Sequence, residues 1–189
     1  MRRLVLALMT VAALTAGRLA SPAAAQEVKE IAIAQQFGAI FIPLMAMENL
    51  QLVEKQAQAA GIGDLKVNWA KLAGPSVMVD AILSGNLHFS AQGVPSLSLM
   101  WDRTKGGVGV RAVSAITNTD IYLNTRNPAV KSIRDFTDKD RIAVPGALIS
   151  PQAVLLQMAT EQAFGKGQHA KLDPLTVSMT NPDGMVAMV

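Results

Sequence analysis

The stretch G-P-S-V-M-V-D-A-I-L-S-G-N-L-H-F-S-A-Q-G-V-P-S, residues 74–96, holds a whole helix–strand–helix passage. Gly74-Pro75-Ser76 opens a helix in which Met78, Ala81 and Ile82 share one face, and Ser84-Gly85-Asn86 stops it. Leu87 to Ala91 then reads as a strand. It runs into the small polar turn Gln92-Gly93-Val94-Pro95-Ser96, from which another helix starts. A strand entered from one helix and left into another predicts parallel pairing and an α/β fold.

The same alternation extends in both directions. Upstream, Val28 to Gln35 is a strand, Ile42 to Ala60 a helix closed by Gly61, and Leu65 to Ala70 a second strand. On that helix Phe41, Ile42, Met45, Leu52 and Val53 gather on one side, opposite Gln51, Glu54, Lys55 and Gln58. Downstream, Lys105-Gly106-Gly107 is a turn, and strands are expected at Arg111–Ile116, Ile121–Thr125, Arg141–Val144 and Leu175–Met179. Ser132-x-x-Asp135 suggests a short capped helix. Ser150-Pro151 caps a helix that ends near Phe164-Gly165, and Asn181-Pro182-Asp183 starts a last one. Asn118 to Ile121 is a polar break between two of the strands.

The first residues read as an address. Arg2 and Arg3, the apolar run Leu4 to Gly17 and the small residues Ala23-Ala24-Ala25 have the layout of a secretory signal peptide cut after Ala25. The run is shorter than the ~20 residues that cross a bilayer. Residues 1–25 are thus expected to be removed and the rest to work in the periplasm. Of seventeen basic residues, Arg2, Arg3 and Arg18 would leave with the leader; the remaining fourteen balance fourteen acids. A nucleic-acid partner calls for a clustered basic face, and the densest basic stretch, Lys131 to Arg141, is interleaved with Asp135, Asp138 and Asp140. Cysteine is absent, which excludes thiol catalysis, Cys-ligated zinc and iron–sulfur clusters.

Catalytic signatures are sparse. His88 falls in an apolar strand, where a packed or hydrogen-bonded role is expected, and His169 in a polar loop; neither has a metal-spaced partner. Gly106-Gly107-Val108-Gly109 follows a helix and lacks the Lys-Ser or Lys-Thr of a phosphate loop. Met45, Met47, Met78, Met100 and Met158 read as core filler, and Trp69 and Trp101 as packing residues. No cofactor is implied.

The ends of the strands are more informative. Ligands of open α/β sheets bind beyond the carboxyl ends of the strands. Those ends are Gln35-Gln36-Phe37-Gly38, Ala73-Gly74-Pro75-Ser76, Gln92-Gly93-Val94-Pro95-Ser96, Gly146-Ala147-Leu148-Ile149-Ser150 and Thr180-Asn181-Pro182-Asp183. Most lead straight into a helix, whose free N–H groups and positive end favour an anion. Taken singly, Ser76, Ser96, Ser150 and Asn181 also read as N-caps and the glycines as turns. Taken together, Gln35, Gln36, Phe37, Gly74, Ser76, Gln92, Gly93, Ser96, Gly146, Ser150 and Asn181 are the candidate ligand-binding residues.

The order of these segments is similar to the substrate-binding proteins of ABC importers for nitrate, sulfonates and taurine. The similarity rests on the Q-Q-F-G loop, the G-P-S helix start, S-V-M-V-D-A-I-L-S-G-N-L-H-F, A-Q-G-V-P-S-L and V-K-S-I-R-D-F-T-D-K-D-R-I-A-V-P. The chain departs from it at Leu87-His88, where an acidic residue is frequent, and at Asp138-Lys139-Asp140-Arg141, where Gly-Lys is common. The resemblance implies a type II periplasmic-binding-protein-like α/β fold of two lobes, residues 26–117 and 118–189. The second lobe is incomplete, because the chain stops in a helix just begun; a C-terminally truncated fragment is expected, with weak or no binding on its own. It further implies a monomer that is no enzyme and captures a small solute for an inner-membrane ABC permease. The solute would be a sulfonate- or nitrate-like anion or an aromatic acid. A sensory or adaptor lobe shares this binding physics, and pyrimidine-precursor synthases share the fold but lean on cysteine and histidine.

Overall fold

Isoleucine and alanine alternate through Glu30–Gln35, and this run forms β1, the central strand of the first sheet, in a computed structural model that describes residues 28–189. The export leader expected at residues 1–25 lies outside the described residues. β1 pairs in parallel with β2 (Lys66–Lys71), from Glu30 opposite Lys66 to Gln35 opposite Lys71. On its other side it pairs with β3 (Phe89–Ser90), Ile33 opposite Phe89 and Ala34 opposite Ser90. The order β2-β1-β3 makes both connections crossovers. Helices α1 (Ile42–Asn49) and α2 (Leu52–Ala59) link β1 to β2, and α3 (Pro75–Leu83) links β2 to β3.

Period-2 alternation divides the sheet's contacts between two cores. Ala32, Ala34 and Ala70 pack with Met78, Ala81, Ile82 and Leu87 around α3. Trp69 and Ala91 pack with Phe41 and Leu44 around α1. Met78 is wholly buried. The chain leaves β3 into α4 (Val94–Thr104).

A second parallel pair, β4 (Ile142–Val144) and β5 (Thr176–Ser178), has its own core. Ile142, Val144, Ala153, Leu156 and Leu172 bury one another beneath α5 (Pro151–Phe164), with Phe136, Phe164 and Leu175 at the margin. Ser150 caps α5, its Oγ accepting the Ala153 N–H at 3.2 Å, and Pro151 occupies the first turn. A 3-10 segment, His169–Leu175, leads into β5, and α6 (Asn181–Met188) follows it. Among the described residues no helix is long and apolar enough to cross a membrane.

Four expectations change. The helix expected over Ile42–Ala60 is broken at Gln51, whose left-handed backbone (φ 51°) re-phases its two halves. Ile42 and Leu52 are therefore exposed, and Phe41 and Leu44 carry the burial. Among the described residues, the strands expected at Arg111–Ile116 and Ile121–Thr125 join no sheet, although their sequence suits one. β-propensity reports fit to a pleated, half-buried surface, and here no neighbouring strand supplies it. His88 has the expected hydrogen bond, its Nδ1 accepting the Ala32 N–H of β1 at 2.9 Å, but it is exposed and lies outside the core. Met158 is exposed rather than core filler.

The Ser132 helix is one 3-10 turn, Ile133–Asp135, and its capping box is complete with Asp in the usual Glu position. The backbone N–H groups of Lys131 and Ser132, then the Ser132 hydroxyl, hold the Asp135 carboxyl below the ordinary carboxylate range. The Thr137 N–H and hydroxyl do the same for Asp140. A depressed native value means that the stabilisation is present above the unfolded-state value and is lost as pH falls through the native one. The Asp135→Asn/Asp140→Asn variant is therefore expected to lose less melting temperature than the parent between pH 5 and about 3, read by circular dichroism. Met78→Ala is expected to lower unfolding free energy by about 2–5 kcal/mol, read by denaturant titration.

Candidate functional site

The carboxyl ends of the strands in the two sheets meet. Four contacts join them. The Ser96 hydroxyl donates to the Ile149 carbonyl at 3.0 Å, and the Asn181 amide donates to the Phe37 carbonyl at 3.4 Å. Gly74-Pro75 lies against Pro145-Gly146 reciprocally: a Cβ on Gly74 would stand 2.6 Å from the Pro145 oxygen, and one on Gly146 2.7 Å from the Pro75 Cγ. A Cβ on Gly93 would run into the Pro151 ring, 2.7 Å from its Cδ. The small residues read from the sequence as ligand-facing are thus also what lets the two sheets approach. Van der Waals contact at these positions leaves no room for a side chain.

The polar side chains divide by what they already hold. Ser150 is fully buried and spent on capping α5. Ser96 is fully buried and spent on Ile149. Ser76 is exposed in the first turn of α3. Asn181 is exposed, and the cap of α6 is Thr180, whose Oγ1 accepts the Asp183 N–H at 3.2 Å. The T-N-P-D spacing, with an acid three residues after a threonine, was the available signal for that cap.

Gln35 is different. It is fully buried at the end of β1, and its Nε2 donates to the Glu48 carboxylate at 2.7 Å. A carboxylate only accepts, so the amide orientation is fixed and Oε1 points elsewhere. That oxygen is buried with no partner among the described residues. Gln92 follows the edge strand, and its Nε2 donates to the Ser90 Oγ at 3.1 Å. Its Oε1 is likewise buried and unpartnered. A buried acceptor left unpaired costs roughly 1–3 kcal/mol. Gln36 is buried beside Gln35, and Phe37 is exposed at the lip.

The five loops contain no lysine or arginine, and Asp183 is their one charged residue. Positive potential comes from helix ends. α3 and α4 start at Gly74 and Gly93 with no side-chain cap on their first-turn N–H groups, whereas Ser150 and Thr180 each accept one such N–H in α5 and α6. Among the described residues, no three histidine, aspartate or glutamate side chains gather as a metal site.

Two residues of the region were not foreseen. Glu48 arrives from α1, thirteen positions from the amide it orients, with no motif to mark it. Leu148 has a left-handed backbone (φ 67°) in the β4–α5 loop and is exposed. A leucine there is strained, and strain of this kind concentrates at ligand clamps and switch regions. Nothing in G-A-L-I-S announces it.

A separate groove of about 270 Å³ is lined by Leu97, Ser98, Trp101, Val110, Arg111 and Ala112. The chain matches no protein-family model, no curated protein and no solved structure.

Gly93→Ala is expected to cost about 1–3 kcal/mol, because the methyl enters a ring held in a helix. Gly106→Ala, which meets nothing within 4 Å, is the control. Denaturant unfolding of both variants measures the difference, and equal stabilities would show that the two sheets do not meet here.

Proposed function

We propose that the chain is the periplasmic solute-binding component of an ABC importer, taking a small solute between two α/β lobes and delivering it to an inner-membrane permease. In this reading the lobes are residues 26–117 and 118–189, arranged as in type II periplasmic binding proteins. The polar break Asn118 to Ile121 is the hinge. The contacts from Ser96 to Ile149 and from Asn181 to Phe37 then belong to the closed position, which must part to admit a solute.

One observation carries the reading: the fully buried Gln35, its amide nitrogen fixed by Glu48 and its oxygen without a partner, at the strand edge where the loops of both sheets converge. A solute supplying an N–H or O–H would satisfy that oxygen, and Gln92 offers a second acceptor. The uncapped N-termini of α3 and α4 favour an anionic group. Phe37 offers an exposed ring to an aromatic acid. The hydroxyl–carboxylate pair in these loops, Thr180 with Asp183, is spent on capping α6, and capture without chemistry is the function the remaining groups fit. The leader-like residues 1–25 suit export.

Thermal shift with sulfonates, nitrate and aromatic carboxylates tests this. One class is expected to raise the melting temperature, and a solute at a hundred times its Kd adds about 2.7 kcal/mol. Gln36→Ala/Ser76→Ala is expected to abolish that rise. No rise with any class, or an unchanged rise in the variant, would overturn the assignment.

A further inference from the structure

Among the described residues, two that are not glycine have a left-handed backbone, Gln51 and Leu148. Gln51 sits inside one helical hairpin, whose own bonds hold it: its N–H donates to the Glu48 carbonyl, and its carbonyl accepts the Lys55 N–H. Leu148 is held differently. Its side chain is 61 % exposed, so burial does not offset the clash of a Cβ in this conformation. The demand comes from the backbone on either side. Gly146 to Ser150 is a single turn, closed by the Ser150 N–H donating to the Gly146 carbonyl at 3.1 Å. At its start the Ala147 N–H donates to the Ser178 hydroxyl of β5 at 3.2 Å. At its end the Ser150 hydroxyl caps α5. Both ends of the turn are thus fixed, and Leu148 lies between them.

The same two ends meet the loops of the first sheet. The Ile149 carbonyl accepts the Ser96 hydroxyl of α4 at 3.0 Å, and Ser96 is fully buried. Gly146 lies against Pro75 of α3, whose Cγ would stand 2.7 Å from a Cβ placed there. Strained backbone persists only where its surroundings over-determine it. Here the second sheet and its helix hold the turn from one side, and the first sheet presses on it from the other.

We infer that the turn Gly146 to Ser150 is a strained latch: contact with the first sheet imposes the left-handed Leu148, so bringing the two sheets together loads the turn and parting them releases it. This deepens the proposed function and rests on its reading that the two sheets part to admit a solute. On that reading the strain opposes closure, and the contacts a solute makes only in the closed position must offset it. Glycine at 148 would adopt the same backbone without strain. Leucine leaves the empty closed position less stable than it could be.

Thermal midpoints of the full chain, read by circular dichroism, test this. At an unstrained site, glycine in place of a side chain lowers the midpoint, because the unfolded chain gains freedom. Leu148→Gly is expected to raise it by about 2–4 °C, Leu148→Asn to raise it less, and the β-branched Leu148→Ile to lower it. The gain from Leu148→Gly is then measured in two further backgrounds. Ser96→Ala removes the hydroxyl from the Ile149 carbonyl, and Pro75→Ala withdraws the ring from Gly146. The gain is expected to fall by about half or more in each, and either background decides the matter if the other does not fold. No gain from glycine in the parent would show that the turn is unstrained. A gain undiminished in the altered backgrounds would show that the facing sheet does not impose the strain. Either result would overturn the inference. Failure of every solute to shift the midpoint tells against the transport reading alone, since none of these variants is measured with solute.

Discussion

Parallel pairing is the constraint from which the rest follows. In a parallel sheet all strands finish on one edge, so whatever lies beyond those finishes is gathered there however far apart it is in sequence. β1, β2 and β3 bring Gln35, Gly74 and Gln92 to such an edge. β4 and β5 bring Gly146 and Thr180 to another, and the two edges face one another. The crossover helices that parallel pairing demands also begin at these edges, which explains why amides, hydroxyls and helix starts share the same few loops.

Two demands compete at this junction. Close approach of backbone selects glycine and proline, which leave no polar reach. Recognition selects side chains with donors and acceptors. The chain separates the tasks by position. Gly74, Gly93 and Gly146 admit the facing prolines and carbonyls. Gln35 and Gln92, set just inside at the ends of central and edge strands, keep unsatisfied oxygens. Ser96 and Ser150, chemically similar to ligand contacts, are consumed by structure instead.

Much of this was legible in the residues. The helix–strand–helix passage at 74–96, the Ser150 and Ser132 caps and the converging loops follow from local rules: turn residues, periodicity and capping. Those rules act within a few positions and so survive without the rest of the chain. What failed depended on distant partners. Arg111–Thr125 has strand character, but a strand needs a neighbour, and sequence pattern names none. The left-handed Gln51 breaks a helix whose wheel looked continuous. Among the candidate residues, which serines were already engaged could not be read, because Ser96 is bound by a carbonyl fifty-three positions away.

The bond between His88 and Ala32 has a consequence for the central strand. A neutral imidazole has a single bare nitrogen, and here that nitrogen must be Nδ1, because it receives the N–H of Ala32 at 2.9 Å. The remaining proton is thereby assigned to Nε2. An imidazolium has no lone pair to offer, so this side-chain link exists for one tautomer of one ring, beside a main-chain bond from the His88 N–H to the Ala32 carbonyl at 3.0 Å that any state of the ring leaves in place.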